Sequence, residues 1–387
     1  STSASFNSSP IERMRINSSG NVGIGTSSPA SDGKLTIHGT DTDSGILLSR
    51  SSGNDVAIHN IGGTLAFRTG GQSTTLGGLT DHMRLDASGR LLSGSSSSRT
   101  VQGFNHKVQV EGTNASTASI SIVRNTNSVD PPYITFGKTR SGSVGASGIV
   151  QQDDVLGRID FTGANGSNLD SLGARIDARV DGTPGSSSDM PTRLTFQTSS
   201  DGSSTPAERM RIDSRGTVGI GCVPNSIQSN FDTLQIGGNL TLNVDSTGAN
   251  AGVYMGNNVY RDSTNSRWEY IYTDEASQYY QANGNHVWRI ASSGSADTPI
   301  TWTEAMRIDN SGKVGIGDDT PAQKLHLRTS GVNTGVRLQV AGGSGRAYDI
   351  LSTTDGSLTI TDANAGSERM RIDSSGINVT GNVEAND

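Results

Sequence analysis

The sequence predicts an all-β protein of short β-modules joined by β-hairpins, and three observations predict it. One phrase, Glu12-Arg13-Met14-Arg15-Ile16-Asn17-Ser18-Ser19-Gly20-Asn21-Val22-Gly23-Ile24-Gly25, recurs in copies starting at Asp81, Glu208, Glu304 and Glu368. Short apolar alternations bounded by Gly, Asn, Asp and Ser fill the intervals, with no convincing amphipathic helix longer than two turns. The 387 residues include 50 glycines, while 31% are hydrophobic and 5% aromatic, thin material for a core built by one chain. Strand periodicity and turn chemistry argue against disorder. The other escape is oligomerisation, with three thin chains sharing one core.

Within one phrase, Met14 and Ile16 alternate with Arg13 and Arg15, the period of a strand with one apolar face. Asn17-Ser18-Ser19-Gly20 carries Asn at the first and Gly at the fourth place of a type I turn, and that Gly can take positive φ to close a three-residue hairpin. Val22 and Ile24, alternating with Gly23 and Gly25, make the return strand. The turn pairs recur as Asp86/Gly89, Asp213/Gly216, Asp309/Gly312 and Asp373/Gly376. Five of the seven methionines occupy one place: Met14, Met83, Met210, Met306 and Met370. With Ile16, Ile212, Ile308 and Ile372 they are the candidate core of a repeated trimer joint, meeting their symmetry mates near a three-fold axis. The alternate glycines imply close backbone approach, either between chains or within a plain hairpin. Two copies depart from the pattern: Leu91-Leu92-Ser93-Gly94 and Ile377-Asn378-Val379-Thr380 replace Val-Gly-Ile-Gly.

The joints are unequally spaced, which excludes a solenoid of one period and suggests modules strung between standard hairpins. The expected segments are 1–33, the first hairpin; 34–100, a small module ending in the second; 101–225, a large module ending in the third; 226–322, an aromatic-rich module ending in the fourth; and 323–387, a small module, the fifth hairpin and a C-terminal stub. A short strand opens most modules: Lys34–His38, Lys107–Val110, Leu234–Ile236 and Lys324–Leu327. In the large module, Asp130–Lys138, Leu156–Phe161 and Arg193–Phe196 read as strands, with loops at Gly163–Ser171 and Asp181–Pro191.

The net charge of −7 argues against a nucleic-acid binder, and no apolar run is long enough to span a membrane as a helix. One cysteine, Cys222, excludes an intrachain disulfide or a thiolate zinc site and reads as a small filler. The chain begins at Ser1 and shows no signal peptide, as expected of a fragment or processed product of something longer.

The phrase E-R-M-R-I-(N/D)-S-S-G-x-V-G-I-G-T-x-x-P, followed by a K-L-x-V strand, resembles the repeat of phage tail-fibre and related virion appendage proteins. The runs Pro132–Arg140, Leu156–Gly163 and Asp189–Thr198, and the aromatic runs Trp268–Tyr272, His286–Ile290 and Ile300–Asp309, resemble modules of the same proteins. Nearly the whole chain is covered. The resemblance implies an elongated, intertwined homotrimeric fibre, often followed by a C-terminal self-cleaving intramolecular chaperone, to which residues 377–387 look like the approach. It implies a structural virion protein, outside the cell, that spans from virion to host surface and mediates attachment. Its partners would be two copies of itself, tail or other virion proteins, and a host cell-surface glycan or protein. The alternatives are a polysaccharide-degrading tailspike, or a head fibre or decoration protein.

No catalytic, cofactor or metal site is expected. No His-Glu-x-x-His helix or P-loop is present, and Gly23-Ile24-Gly25 lacks the rest of a dinucleotide fingerprint. The histidines are scattered, and Asp41 and Asp43 read as turn acids rather than calcium ligands. A depolymerase needs two carboxylates on one groove; Asp153/Asp154 and Asp274/Glu275 are adjacent in sequence and would point to opposite strand faces. The binding candidates are the aromatics Trp268, Tyr270 and Tyr272, alternating on one strand, and Tyr279, Tyr280 and Trp288 on a neighbouring one. Such rings suit sugar contacts; alternatively, they fill the core of a wider trimeric module.

Overall fold

The computed structural model describes residues 12–39, 43–49, 51–71, 76–185, 189–245, 248, 251–341 and 345–381; Asp41 and the end of the C-terminal stub, 382–387, lie outside the described residues. The protein is all-β: apart from a 3-10 turn at Leu76–Gly78, every described element is a strand. In chain order these are β1 (Met14–Ile16), β2 (Val22–Ile24), β3 (Leu35–Ile37), β4 (Asp43–Leu48), β5 (Asp55–Ile61), β6 (Thr64–Gly70), β7 (Thr80–Leu85), β8 (Leu91–Ser93) and β9 (Val108–Val110). They continue as β10 (Val155–Gly163), β11 (Ser171–Val180), β12 (Thr192–Thr198), β13 (Ala207–Ile212), β14 (Val218–Ile220), β15 (Phe231–Ile236), β16 (Leu240–Asp245), β17 (Val253–Asn257), β18 (Val259–Arg261), β19 (Trp268–Tyr270), β20 (Asp274–Ala282), β21 (Asn285–Gly294), β22 (Thr303–Ile308), β23 (Val314–Ile316) and β24 (Leu325–Leu327). The last five are β25 (Thr334–Gln339), β26 (Ala347–Ser352), β27 (Leu358–Asp362), β28 (Ser367–Asp373) and β29 (Gly376–Val379).

Two compact units are present, residues 1–135 with 162–172, and residues 136–161 with 173–387. The first carries a three-stranded sheet, β1-β2-β3, and a six-stranded sheet, β4 to β9 in order. The second carries, apart from the β10–β11 connection, a thirteen-stranded sheet from β10 to β24 that skips the small β18-β19 hairpin, and a five-stranded sheet, β25 to β29.

The repeated phrase folds the same way in four of its copies. Met14 pairs with Ile24, Arg15 with Gly23 and Ile16 with Val22, and the register recurs at Met83, Met210 and Met306. In the turn, Gly20 donates its N–H to the Asn17 carbonyl at 2.9 Å and has φ of 75°. The Asn17 side-chain oxygen accepts from the N–H groups of Ser19 and Asn21; Asp86, Asp213 and Asp309 repeat this double capture. The fifth copy differs. Asp373 pairs directly with Gly376, so a two-residue turn replaces the three-residue one, because Ile377-Asn378-Val379 follows the glycine one residue sooner.

Two features lie outside the reach of strand alternation. The first is a β-bulge just before the methionine: Phe196 faces Met210 while Gln197 faces Glu208, leaving Arg209 as the extra residue. His82, Ala305 and Arg369 are the extra residues of three further copies. The second is that the strand after each of the first four hairpins turns back and pairs parallel with the return strand, β3 on β2, β9 on β8, β15 on β14 and β24 on β23. Each of those sheets therefore runs through its hairpin and ends, or continues, on the strand that follows.

The connection into that parallel strand crosses the polar face of the hairpin, and it explains the glycines. A Cβ on Gly23 would lie 2.7 Å from the Thr26 carbonyl oxygen; at Gly219 the contact is Cys222 O at 2.6 Å, and at Gly315 it is Asp318 O at 2.1 Å. The close approach comes from the chain's own loop. The middle residue of the parallel strand clips the loop down by accepting a backbone N–H: Thr36 from Ala30, Gln109 from Arg99, Gln235 from Asn225 and His326 from Ala322. Cys222 lies in such a loop, half-buried, its thiol directed at the Gln235 carbonyl oxygen.

One expected strand is missing. Leu156–Phe161 and Arg193–Phe196 fall in β10 and β12, but Asp130–Lys138 forms no ladder, and no strand occurs between Val110 and Val155. Its alternating side chains have no strand of the same chain to pair with.

Candidate interaction surface

Alternation gives every strand two faces, and here the polar face is the covered one. Asp177, Thr195, Gln235, Thr241, Asn243 and Gln278 are all buried. Ion pairs make this tolerable. Arg179 and Thr195 bond to the Asp177 carboxylate, and Arg158 approaches it. Burial alone would push that carboxyl up; these bonds outweigh it and hold it below the ordinary carboxylate value. Asp362 is held by Arg346 and Arg369, and Asp318 by Arg328.

The bulge belongs to the same scheme. By removing one residue from the alternation it places Glu208 and Arg211 on one side, where they bond in a two-pronged pair. The pair recurs in every copy: Glu12–Arg15, Asp81–Arg84, Glu304–Arg307 and Glu368–Arg371. In the second copy the shorter Asp81 bridges Arg84 and Arg68.

The apolar face is left open. In the six-stranded sheet, Ile46, Ile58, Phe67 and Met83 face one another in register across four strands, and each is exposed. In the thirteen-stranded sheet one such row runs through Leu234, Leu242, Met255, Tyr279, Trp288 and Met306. The joint residues share these faces. Met14 is 57% and Ile16 66% exposed, and Met83 and Ile372 are also exposed. Met210, Ile212, Met306, Ile308 and Met370 are half-buried.

The six aromatic candidates do not form one surface. Tyr279 and Trp288 stand side by side on the open apolar face, ring centres 4.9 Å apart, beside a shallow cleft of about 460 Å³ lined also by Leu240, Met255 and Ile290. Tyr280, its neighbour in sequence, points to the other face and stacks on Tyr254 at 5.5 Å. Trp268 packs there against Phe231 and Tyr254. Tyr270 is buried with Ala276 and Ala291, its hydroxyl donating to the Ser292 carbonyl at 2.7 Å. Tyr272 lies beyond the end of β19, exposed, with its hydroxyl over Gly238.

At the centre of the covered aromatics is Arg289, which the sequence reading missed. Its guanidinium sits 4.3 Å from the Trp302 ring centre, 4.9 Å from Tyr280 and 5.6 Å from Trp268. It donates to Gln278, and no carboxylate pairs with it among the described residues. Burial pulls its pKa down to about 10, against the opposing pull of the Tyr280 and Tyr254 phenols. The signal in sequence was weak: an arginine alternating with Trp288 on a strand gives no hint that three rings converge on it.

Three of the four candidate carboxylates are engaged. Asp153 bonds to Arg193, and Asp154 to Arg140 at 2.7 Å, whose hydrogen bonds hold the Asp154 carboxyl down at about 2. Asp274 accepts the Glu275 backbone N–H. No group of three or more metal-ligating side chains occurs among the described residues.

No family model matches the chain, and no curated protein does. Among solved structures it is similar to the C-terminal domain of the bacteriophage T5 L-shaped tail fibre, at 10% identity and a TM-score of 0.33, over 53% of this chain and 93% of that one. It is also similar to the same domain with its intramolecular chaperone domain, at 12% identity and a TM-score of 0.33, over 58% of this chain and 68% of that one.

Proposed function

We propose that the chain is a structural virion protein, a homotrimeric phage tail fibre that links the particle to a host surface and carries no chemistry. The carrying observation is the open apolar face. Each of the first four joints covers its polar side with its own loop, and in all five the Met and Ile or Leu positions stay exposed or half-buried, a pattern suited to a core shared between copies. The repeated phrase and its resemblance to virion appendages supply the biological setting. The candidate acids do not favour a glycan depolymerase: Asp153 and Asp154 are bonded to arginines and Asp274 to a backbone N–H.

Two experiments test the reading. Light scattering and sedimentation of the purified chain should give three times the chain mass; a monomer at micromolar concentration would sink the trimer. Gold-labelled antibody against the chain should decorate a tail appendage of the virion that encodes it. Label on the head would favour a head fibre, and unlabelled particles would refute the assignment.

A further inference from the structure

The connection between β9 and β10 is unlike the rest of the chain. Ile120 and Ile122 alternate with serines, and Ile134 and Phe136 alternate with Thr135 and Gly137, the pattern of two short strands. Yet no backbone N–H of residues 119–127 or 133–139 donates to any group among the described residues. The turns around it are well made. Thr117 caps the stretch before it, Arg124 pairs with Asp130 across the bend, and Thr139 holds the loop to Gly148. Only the strand-like runs lack partners. Their apolar side chains are bare: Ile120 is 73%, Val123 74% and Ile134 72% exposed. Unpaired backbone with bare β-branched side chains is an unfilled place in a sheet.

We propose that residues 119–139 complete a β-sheet in a second copy of this chain, pairing along the open edge of its β10. β10 spans nine residues, more than any other strand at the end of a described sheet. Ile159 and Phe161 alternate along it, exposed like the donated isoleucines. The same chain's Phe136 touches β10 at Gly157 by its side chain, with no ladder hydrogen bond to the edge. Backbone pairing supplies affinity, and the alternating apolar side chains supply register. The inference rests on the trimer reading and adds which segment changes hands.

Hydrogen exchange on the purified full chain, with its mass measured in the same buffer, tests it. A trimer in which amides 119–127 and 133–139 exchange on the order of 100-fold slower than free peptide supports it. A trimer whose segment exchanges at the free-peptide rate overturns it and leaves the trimer standing. A monomer overturns both. In assemblies formed from light and heavy isotope chains together, a photo-crosslinker anchored on Lys138 should join it to β10 peptides of mixed isotope. Same-isotope pairs alone would place the pairing within one chain and overturn it. Ile134→Pro should remove protection from the segment while the hairpin amides stay protected; unchanged protection throughout counts against the proposal. If that variant fails to fold, the exchange and crosslinks of the unaltered chain still decide.

Discussion

Gly315 shows how a repeated glycine acquires its necessity from a residue three places on. A methyl group there would meet the Asp318 carbonyl oxygen at 2.1 Å, so Gly315→Ala must move the loop. The expected loss is about 1–3 kcal/mol, read as a lowered midpoint in thermal or denaturant melts. Glu208→Gln is expected to cost less, about 1 kcal/mol or below, because its pair with Arg211 is partly screened by solvent. The buried and half-buried carboxylates set the response to acid. Asp81, Asp177 and Asp181 are all held below the ordinary carboxylate value by arginines, serine or threonine, against the upward push of burial. A depressed folded pKa stabilises above the unfolded value and is lost as pH falls through the folded one. Melting temperature should therefore be flat from near neutrality to about pH 5 and fall below about pH 4. Asp177→Asn should flatten part of that fall; an acid limb identical to that of the unaltered chain would contradict the assignment. The acid–arginine spacing was in plain view in all five copies. Three places apart means opposite faces on a regular strand, so the spacing encoded a bulge that alternation alone could not show.

Among the elements, the hairpins were the most legible, because a type I turn is written in four neighbouring residues. Asn17 to Gly20 fold as their side chains dictate, and three further copies follow. The parallel strand was not legible. Lys34–His38 reads as a strand, but its partner is chosen by a loop that must lie against Gly23 and be clipped by Thr36, a set of contacts distributed over the whole joint. The missing strand at Asp130–Lys138 has the same origin: propensity was present, and a neighbour in the chain was not. The turn acids give a direct check. Asp213 accepts two backbone N–H groups, from Arg215 and Thr217. Asp213→Ala should cost about 1–2 kcal/mol and expose the hairpin amides to faster exchange. The fifth joint, with its two-residue turn, should tolerate an insertion after Gly376 better than the others tolerate one after theirs.

At the scale of the molecule, the choice of face is the point that alternation leaves open. The pattern shows which residues share a side, and the structure shows which side the chain covers for itself. The aromatic candidates divide accordingly: Trp268, Tyr270 and Tyr280 are engaged in packing, and Tyr279 and Trp288 lie on the bare face. Trp288→Asp is therefore expected to lower the assembled mass in light scattering by weakening self-association, with the strand signature in circular dichroism retained. If the mass is unchanged and binding to a glycan surface disappears, Trp288 acts in recognition instead. Met83→Lys should act as Trp288→Asp does on assembly. The parallel return strand has a consequence of another kind. Every complete joint admits the chain in one direction, reverses it once, and releases it in a fixed orientation and register. A segment spliced between two such joints therefore inherits correct entry and exit geometry whatever its length. The unequal spacing of the joints is what such indifference to length permits, and it makes the joint a unit of construction as well as of folding.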